Sequence, residues 1–174
     1  MHLKTFAAVA ALSLATFGAS ATTTDLGTVT AGTPMAFGGY APVGAFNDIF
    51  TFSLPANSSS GYSVSNFLSL PAQFNTVLST LALVSNPDGI LFNADDALVS
   101  SSVFPGGDSI SLSVGSQPAG DYYLNVTGLS NGSQGGIYNG AISVSAVPEP
   151  ETYAMMLAGL AVMGFVAGRR GSRR

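Results

Sequence analysis

Apolar and polar residues alternate with a period of two in short runs between residues 22 and 146, a pattern typical of half-buried β-strands. In the run 109–114, Ile110, Leu112 and Val114 share one face and serines fill the other. Clusters of Gly, Pro, Asn, Asp and Ser separate these runs. The predicted strands are residues 24–30, 46–54, 62–70, 77–84, 97–103, 109–114, 121–126 and 137–146. The predicted loops are residues 57–61, 85–89, 104–108 and 130–136.

Short strands with frequent turns, and no convincing helical period in this region, predict an all-β fold. The most economical architecture is a two-layer antiparallel β-sandwich. The predicted organisation is a signal peptide at residues 1–21, the sandwich at 22–146 and a C-terminal segment at 147–174.

The N-terminal segment has the three parts of a secretory signal peptide. Lys4 supplies a positive charge, residues 5–17 are mostly apolar, and Ala19-Ser20-Ala21 fits the small-residue cleavage site. We expect cleavage after Ala21, so that the exported chain begins at Thr22.

A second apolar segment, residues 153–167, contains no charged residue. As a helix it would be about 22 Å long, a little short of the ~30 Å hydrocarbon core of a bilayer. The segment predicts a single transmembrane helix, and the alternative is a buried helix of a soluble domain. Cationic residues after such a helix act as a stop-transfer signal and stay cytoplasmic. Here these residues are Arg169, Arg170, Arg173 and Arg174.

Charge is distributed unevenly along the chain. Residues 22–147 contain seven aspartates and no Lys, Arg or His, which gives this region a formal charge of −7. Without cations we expect no nucleic-acid binding, and without His or Cys neither a Ser-His-Asp triad nor a zinc site of those ligands can form. Paired carboxylates or oxygen ligands for a hard cation such as Ca²⁺ remain available. We expect that the protein is not an enzyme and that it requires no cofactor, with Ca²⁺ as the one candidate ion.

One aspartate occupies an unusual position within a strand. Phe46, Asp48 and Phe50 fall on the same predicted core face, because alternate residues of a strand point the same way. A buried carboxylate must be satisfied, and this region has no cationic side chain to pair with it. Asp48 is therefore expected either to cap a turn by accepting backbone hydrogen bonds, beside a bulge at Asn47, or to bind Ca²⁺.

Three further aspartates lie close together in the sequence, after the predicted strand 77–84. Asp88, Asp95 and Asp96 occur with asparagines and a glycine, a composition that suits Ca²⁺ coordination by oxygen. The spacing does not follow an EF-hand loop. The alternatives are a Ca²⁺ site formed by these three residues or a solvated turn.

The C-terminal segment carries a specific resemblance. Pro148, Glu149 and Pro150 precede the apolar segment and its arginines, and this order resembles the PEP-CTERM sorting signal of exported bacterial proteins, also catalogued as the ice-binding protein C-terminal motif. Residues 46–50, Phe-Asn-Asp-Ile-Phe, resemble the FxDxF signature of one PEP-CTERM subfamily. The resemblance implies a precursor anchored in the inner membrane through residues 153–167. An exosortase-type enzyme would process it, and the product would reach the cell envelope surface or the extracellular space.

The resemblance places such proteins in bacteria that make exopolysaccharide and implies no particular activity. We therefore predict a non-catalytic structural or adhesive protein of the cell surface or extracellular matrix, linked to exopolysaccharide or biofilm. The alternatives are a Ca²⁺-dependent carbohydrate-binding module and a hydrolase that uses two aspartates. No regular Thr-x-Thr ladder supports ice binding.

Overall fold

The computed structural model describes residues 20–55, 57–67, 72–147 and 150–171. The predicted signal peptide lies outside the described residues, apart from residues 20 and 21. Pro148 and Glu149 of the Pro-Glu-Pro box, and Arg173 and Arg174 of the stop-transfer group, also lie outside them.

The described chain is built mainly from strands, with one helix at its C-terminal end. The elements are β1 (Thr23–Thr28), β2 (Met35–Ala41), β3 (Gly44–Leu54), β4 (Ser58–Asn66), β5 (Thr76–Ser85), β6 (Ala97–Gly107), β7 (Ser109–Gln117), β8 (Gly120–Ser130), β9 (Gly136–Ala146) and α1 (Pro150–Gly171).

The strands form two sheets, which confirms the predicted all-β sandwich. The first sheet has the order β1-β3-β8-β5-β6, and the second has the order β2-β9-β4-β7. The prediction of a fully antiparallel sandwich was wrong at one edge, because β1 pairs with β3 in parallel. The chain leaves the first sheet after β1, contributes β2 to the second sheet and then returns as β3. Such a crossover connection is what a parallel pair requires.

Strand β2 was missed because its sequence, with glycines at 38 and 39, has low strand propensity. The glycines serve a close approach to β9. A Cβ atom at Gly39 would lie 2.7 Å from the hydroxyl oxygen of Tyr138. A side chain at that position therefore cannot be accommodated without displacing Tyr138.

Two predicted loops were wrong in part. Strand β4 begins at Ser58, within the predicted loop 57–61, and it ends at Asn66 rather than at residue 70. Ser60 is buried there and donates a 2.9 Å hydrogen bond to Oε1 of Gln117, so serines that look loop-forming in the sequence occupy a central strand. Strand β6 likewise continues through Gly107, across most of the predicted loop 104–108.

The core lies between the two sheets and is formed by alternate residues of the strands. The predicted inward face of β7 is confirmed, with Ile110 and Leu112 buried and Val114 packed against the core cluster. The largest fully buried apolar side chains are Tyr62, Tyr138, Phe50, Leu54, Leu78, Leu81, Leu83, Leu124 and Ile142.

The C-terminal helix α1 contains the segment 153–167 that the sequence assigns to a membrane helix. Within the part of the chain that the structure describes, no helix is long and apolar enough to cross a membrane. The helical part of the prediction is confirmed, and the transmembrane part is not.

Candidate functional site

The candidate site is centred on the carboxylate of Asp48, in the middle of β3. The core face of β3 is buried as predicted, with Phe46 and Phe50 on either side of Asp48. Only 1 % of Asp48 is exposed to solvent. The carboxylate therefore depends on the protein for its hydrogen bonds.

Two residues donate hydrogen bonds to this carboxylate. The backbone N–H of Thr22 donates to Oδ1 over 3.0 Å, and the Thr22 hydroxyl donates to the same oxygen over 2.6 Å. The hydroxyl of Tyr138, from β9 in the opposite sheet, donates to Oδ2. Asp48 thus joins the start of the described chain, β3 and β9 at one point.

These contacts agree with the structural alternative for Asp48 in one respect and differ from it in others. The carboxylate is satisfied by a backbone N–H and hydroxyl groups of the protein. The predicted bulge at Asn47 was wrong, because the register between β3 and β8 runs without a shift from Gly44 to Leu54. Asp48 accepts its hydrogen bonds from distant segments and does not cap a local turn.

Aromatic rings enclose the site. The ring of Tyr138 stacks on Phe46 with centroids 5.3 Å apart, and it lies nearly perpendicular to the ring of Phe50 with centroids 6.4 Å apart. Burial raises the pKa of Tyr138 well above its usual value, and the hydrogen bond to the Asp48 carboxylate and the charge of that group raise it further. Tyr138 therefore remains a protonated donor to Asp48 at neutral pH.

The predicted metal ligands Asp88, Asp95 and Asp96 are not brought together as a cation site. Among the described residues, no group of three or more His, Cys, Asp or Glu side chains has the geometry to hold a metal ion. Asp88 instead accepts hydrogen bonds from the backbone N–H of Ile90 and the side-chain amide of Asn93, each 2.8 Å long. Asp95 is exposed to solvent.

Asp96 fastens the loop between β5 and β6 onto the outer face of the first sheet. Its Oδ2 accepts hydrogen bonds from the backbone N–H of Phe92 at 2.6 Å and from the hydroxyl of Tyr123 at 3.2 Å. The rings of Phe92 and Tyr123 also meet edge to face, 5.8 Å apart. Burial first, and then the hydrogen bond to Asp96, raises the pKa of Tyr123 to about 12. The Asp96 carboxylate therefore has a structural role, because it holds the loop against the sheet.

A second group of oxygen atoms lines an open cavity of about 200 Å³ beside β1 and β3. Thr51 donates a 3.1 Å hydrogen bond to Asp25, and Ser53 donates to Asp121. Asn86 also lines this cavity, is 3 % exposed, and its Oδ1 has no hydrogen-bond partner among the described residues. Sequence reasoning missed this group because Asp25, Asn86 and Asp121 lie far apart in the chain.

The comparison with protein families concerns the C-terminal end of the chain. Residues 146–174 match the PEP-CTERM protein-sorting motif. This PEP-CTERM motif implies an exported protein whose membrane-anchored precursor is processed by an exosortase-type enzyme. It includes the predicted sorting residues Pro148, Glu149 and Pro150, and the predicted stop-transfer arginines.

Distant structural likenesses were found for the β-sandwich part of the chain. It is similar to the pre-peptidase C-terminal domain of collagenase from Bacillus anthracis, with a TM-score of 0.40, 17% identity, and coverage of 71% of this chain and 94% of that chain. It is also similar to PliG of Aeromonas hydrophila, a periplasmic inhibitor of g-type lysozyme, with a TM-score of 0.35, 14% identity, and coverage of 72% of this chain and 100% of that chain. TM-scores this low support no conclusion about function. No curated protein matches the sequence.

Proposed function

We propose that this chain is a non-catalytic structural or adhesive protein of the bacterial cell surface or extracellular matrix. The observation that carries the proposal is the PEP-CTERM motif at residues 146–174, joined to a compact acidic sandwich. Two of the buried or half-buried carboxylates, Asp48 and Asp96, are engaged by hydrogen bonds that connect distant segments. Such carboxylates support a structural role better than a catalytic one.

The anchored precursor follows from the order of the C-terminal elements. Residues 153–167 would lie in the inner membrane, with Arg169 and Arg170 on the cytoplasmic side. Cleavage near the Pro-Glu-Pro box would then release the sandwich to the envelope surface or the medium.

The processing step is tested by fractionation of cells with and without the exosortase-type enzyme. We expect the wild-type cells to contain a shortened chain in the envelope or medium. Cells without the enzyme should retain the longer chain in the inner membrane. A matched variant with Pro148 and Pro150 changed to Ala should behave like the chain in enzyme-deficient cells. An unchanged distribution in all three strains would contradict the proposal.

An adhesive role draws support from an exposed apolar surface at one end of the sandwich. Val43 and Leu129, which are 59 % and 46 % exposed, line an open apolar cleft there. Exposed apolar surfaces of this kind commonly mark contact sites. We expect Val43→Ser with Leu129→Ser to reduce retention of the protein in the exopolysaccharide fraction. An exposed apolar pair elsewhere, Leu98→Ser with Val103→Ser, is the matched control, and equal losses would contradict a localised contact.

A Ca²⁺-dependent carbohydrate-binding module is the second candidate. The cavity beside β1 and β3 is a better place for its Ca²⁺ site than the loop with Asp88, Asp95 and Asp96 that the sequence suggested. The cavity combines the carboxylates of Asp25 and Asp121 with the amide of Asn86, which are oxygen ligands suited to Ca²⁺. Calorimetric titration with CaCl₂ tests this candidate. Heat that disappears in Asp121→Asn but persists in Asp108→Asn would support it. No heat at millimolar Ca²⁺ would reject it.

A further inference from the structure

Thr22 combines two features, a contact with Asp48 and a place directly after the predicted cleavage site. It is the residue whose backbone nitrogen lies 3.0 Å from Oδ1 of Asp48, and it is the first residue after the predicted leader cleavage site. We propose that Asp48 is a binding site for the α-ammonium group that leader removal creates at Thr22. This inference rests on the proposed export of the chain and on cleavage after Ala21.

The charge distribution gives the carboxylate no other cationic partner in this region. Residues 22–147 contain no Lys, Arg or His, and the arginines that follow are in the C-terminal tail. Removal of the leader would place one positive charge in the domain, at the α-amino group of Thr22. A buried carboxylate is stabilised far better by a hydrogen-bonded cation than by a neutral amide. The single new cation would therefore arise beside the most deeply buried carboxylate.

The contacts of Thr22 hold its nitrogen in place after such a cut. The backbone N–H of Ile49 donates a 2.8 Å hydrogen bond to the carbonyl oxygen of Thr22. The Thr22 hydroxyl donates to Oδ1 of Asp48 over 2.6 Å, and β1 begins at the next residue. None of these contacts uses residues 1–21, so the nitrogen can remain where it is while its charge changes from neutral to positive.

The cut would also remove two backbone hydrogen bonds at the edge of the first sheet. Ser20 donates to the carbonyl of Ala45 over 3.0 Å, and Asn47 donates to the carbonyl of Ser20 over 2.8 Å. Thr22 is exposed at this edge, so water can replace partners that are lost there. The ion pair forms on the buried side of Thr22, where it acts with the hydrogen bond from Tyr138. Processing would thus tighten the junction between the two sheets, and the exported form would be more stable than its precursor.

The composition of the chain offers a direct measurement. Lys4 is the only lysine, so a chain from Thr22 to Arg174 has a single primary amine, the α-amino group of Thr22. This chain, released from a cleavable fusion and kept in detergent, would be treated with an N-hydroxysuccinimide ester of acetate at neutral pH. Intact mass, measured after hydroxylamine has removed esters of hydroxyl groups, gives the acetylation rate.

We expect acetylation of the folded wild-type chain to be at least about tenfold slower than that of the same chain in urea. A tenfold effect corresponds to one pH unit in the deprotonation of the amine, since only the neutral amine reacts. Asp48→Asn should react at close to the rate of the unfolded chain, while Asp95→Asn, at an exposed position, should react like the wild type. Equal rates in the folded wild-type chain and in urea would overturn the proposal.

A second measurement separates ion pairing from simple burial and does not depend on the rate of acetylation. The melting temperature of the chain with a free amine is compared with that of the same chain after acetylation, which restores a neutral amide nitrogen at Thr22. The free amine should raise the melting temperature in the wild type and in Asp95→Asn, and should not raise it in Asp48→Asn. A wild-type chain that melts at the same temperature in both forms would refute the ion pair.

These two measurements use a chain made to begin at Thr22, so they do not depend on processing in cells. The N-terminal mass of the native protein tests the cleavage site separately. A different native N-terminus would count against the proposed leader removal, and loss of the labelling protection would count against the role of Asp48.

Discussion

The hydroxyl of Tyr138 is a sharp point at which to test the junction between the sheets. Tyr138→Phe removes one oxygen atom and leaves the ring, which packs between Phe46 and Phe50. The change deprives the buried Asp48 carboxylate of its donor from the opposite sheet.

The magnitude follows from the type of hydrogen bond that is lost. A hydrogen bond to a charged group contributes about 1.5–3 kcal/mol, and removing one partner also leaves a buried acceptor less well satisfied. We therefore expect Tyr138→Phe to lower the free energy of unfolding by about 2–3 kcal/mol. At the lower end this still shifts the melting temperature by several degrees in a domain of this size.

The chain offers a matched control for the same chemical change. The hydroxyl of Tyr122 donates a 2.9 Å hydrogen bond to the neutral backbone carbonyl of Pro118. Loss of a neutral hydrogen bond costs about 0.5–1.5 kcal/mol, so Tyr122→Phe should be the milder variant. Urea denaturation monitored by tyrosine fluorescence and far-ultraviolet circular dichroism gives both free energies. If Tyr138→Phe costs no more than Tyr122→Phe, the carboxylate at Asp48 does not tie the sheets together.

Three further predictions concern other parts of the fold. Tyr123→Phe should accelerate hydrogen exchange in the loop 86–96 by removing its hydrogen bond to the Asp96 carboxylate, which contributes about 1.5–3 kcal/mol as a bond to a charged group; unaltered exchange would show that the loop is held by other contacts. Gly39→Ala should destabilise the protein by about 1–3 kcal/mol, because its Cβ would meet the Tyr138 hydroxyl, whereas Gly61→Ala has open space and should be close to neutral; equal urea midpoints would contradict the close approach. Burial raises the pKa of Tyr62 to about 12, so the folded state favours the neutral phenol. The contribution of Tyr62 to stability is complete below about pH 10, the usual pKa of tyrosine in the unfolded chain, and is lost as the pH rises through 12. A melting temperature that stays level from about pH 9 to 12 would argue against this.

Alternation of residue types predicted most of the strands, because burial of one face of a sheet imposes a period of two. It placed Asp48 correctly between Phe46 and Phe50 on the core side of β3. It failed for β2, where Gly38 and Gly39 are selected by close packing against β9 and carry no strand signal. It also failed for the start of β4, where the hydroxyl of the buried Ser60 donates to Gln117 instead of to solvent.

The partners of the candidate site were beyond the reach of local patterns. Thr22 and Tyr138 are 26 and 90 residues away from Asp48 in the sequence. Their convergence depends on the parallel edge pair and on the packing of one sheet over the other, and neither leaves a local mark in the sequence. The absence of cationic side chains left backbone N–H groups, hydroxyls, amides, water or a metal ion as partners of Asp48, and the structure shows a backbone N–H and two hydroxyls there. The sorting motif could be predicted from the sequence because its three parts, the Pro-Glu-Pro box, the apolar segment and the arginines, follow one another directly along the chain.

The intact mass of the mature protein, measured in each fraction of the native cells, tests most directly whether the chain is exported and processed at both ends. We expect a species that begins at Thr22 and ends near the Pro-Glu-Pro box, in the envelope or the medium. A species that retains residues 1–21, or one that reaches Arg174 and stays in the inner membrane as the final form, would contradict it.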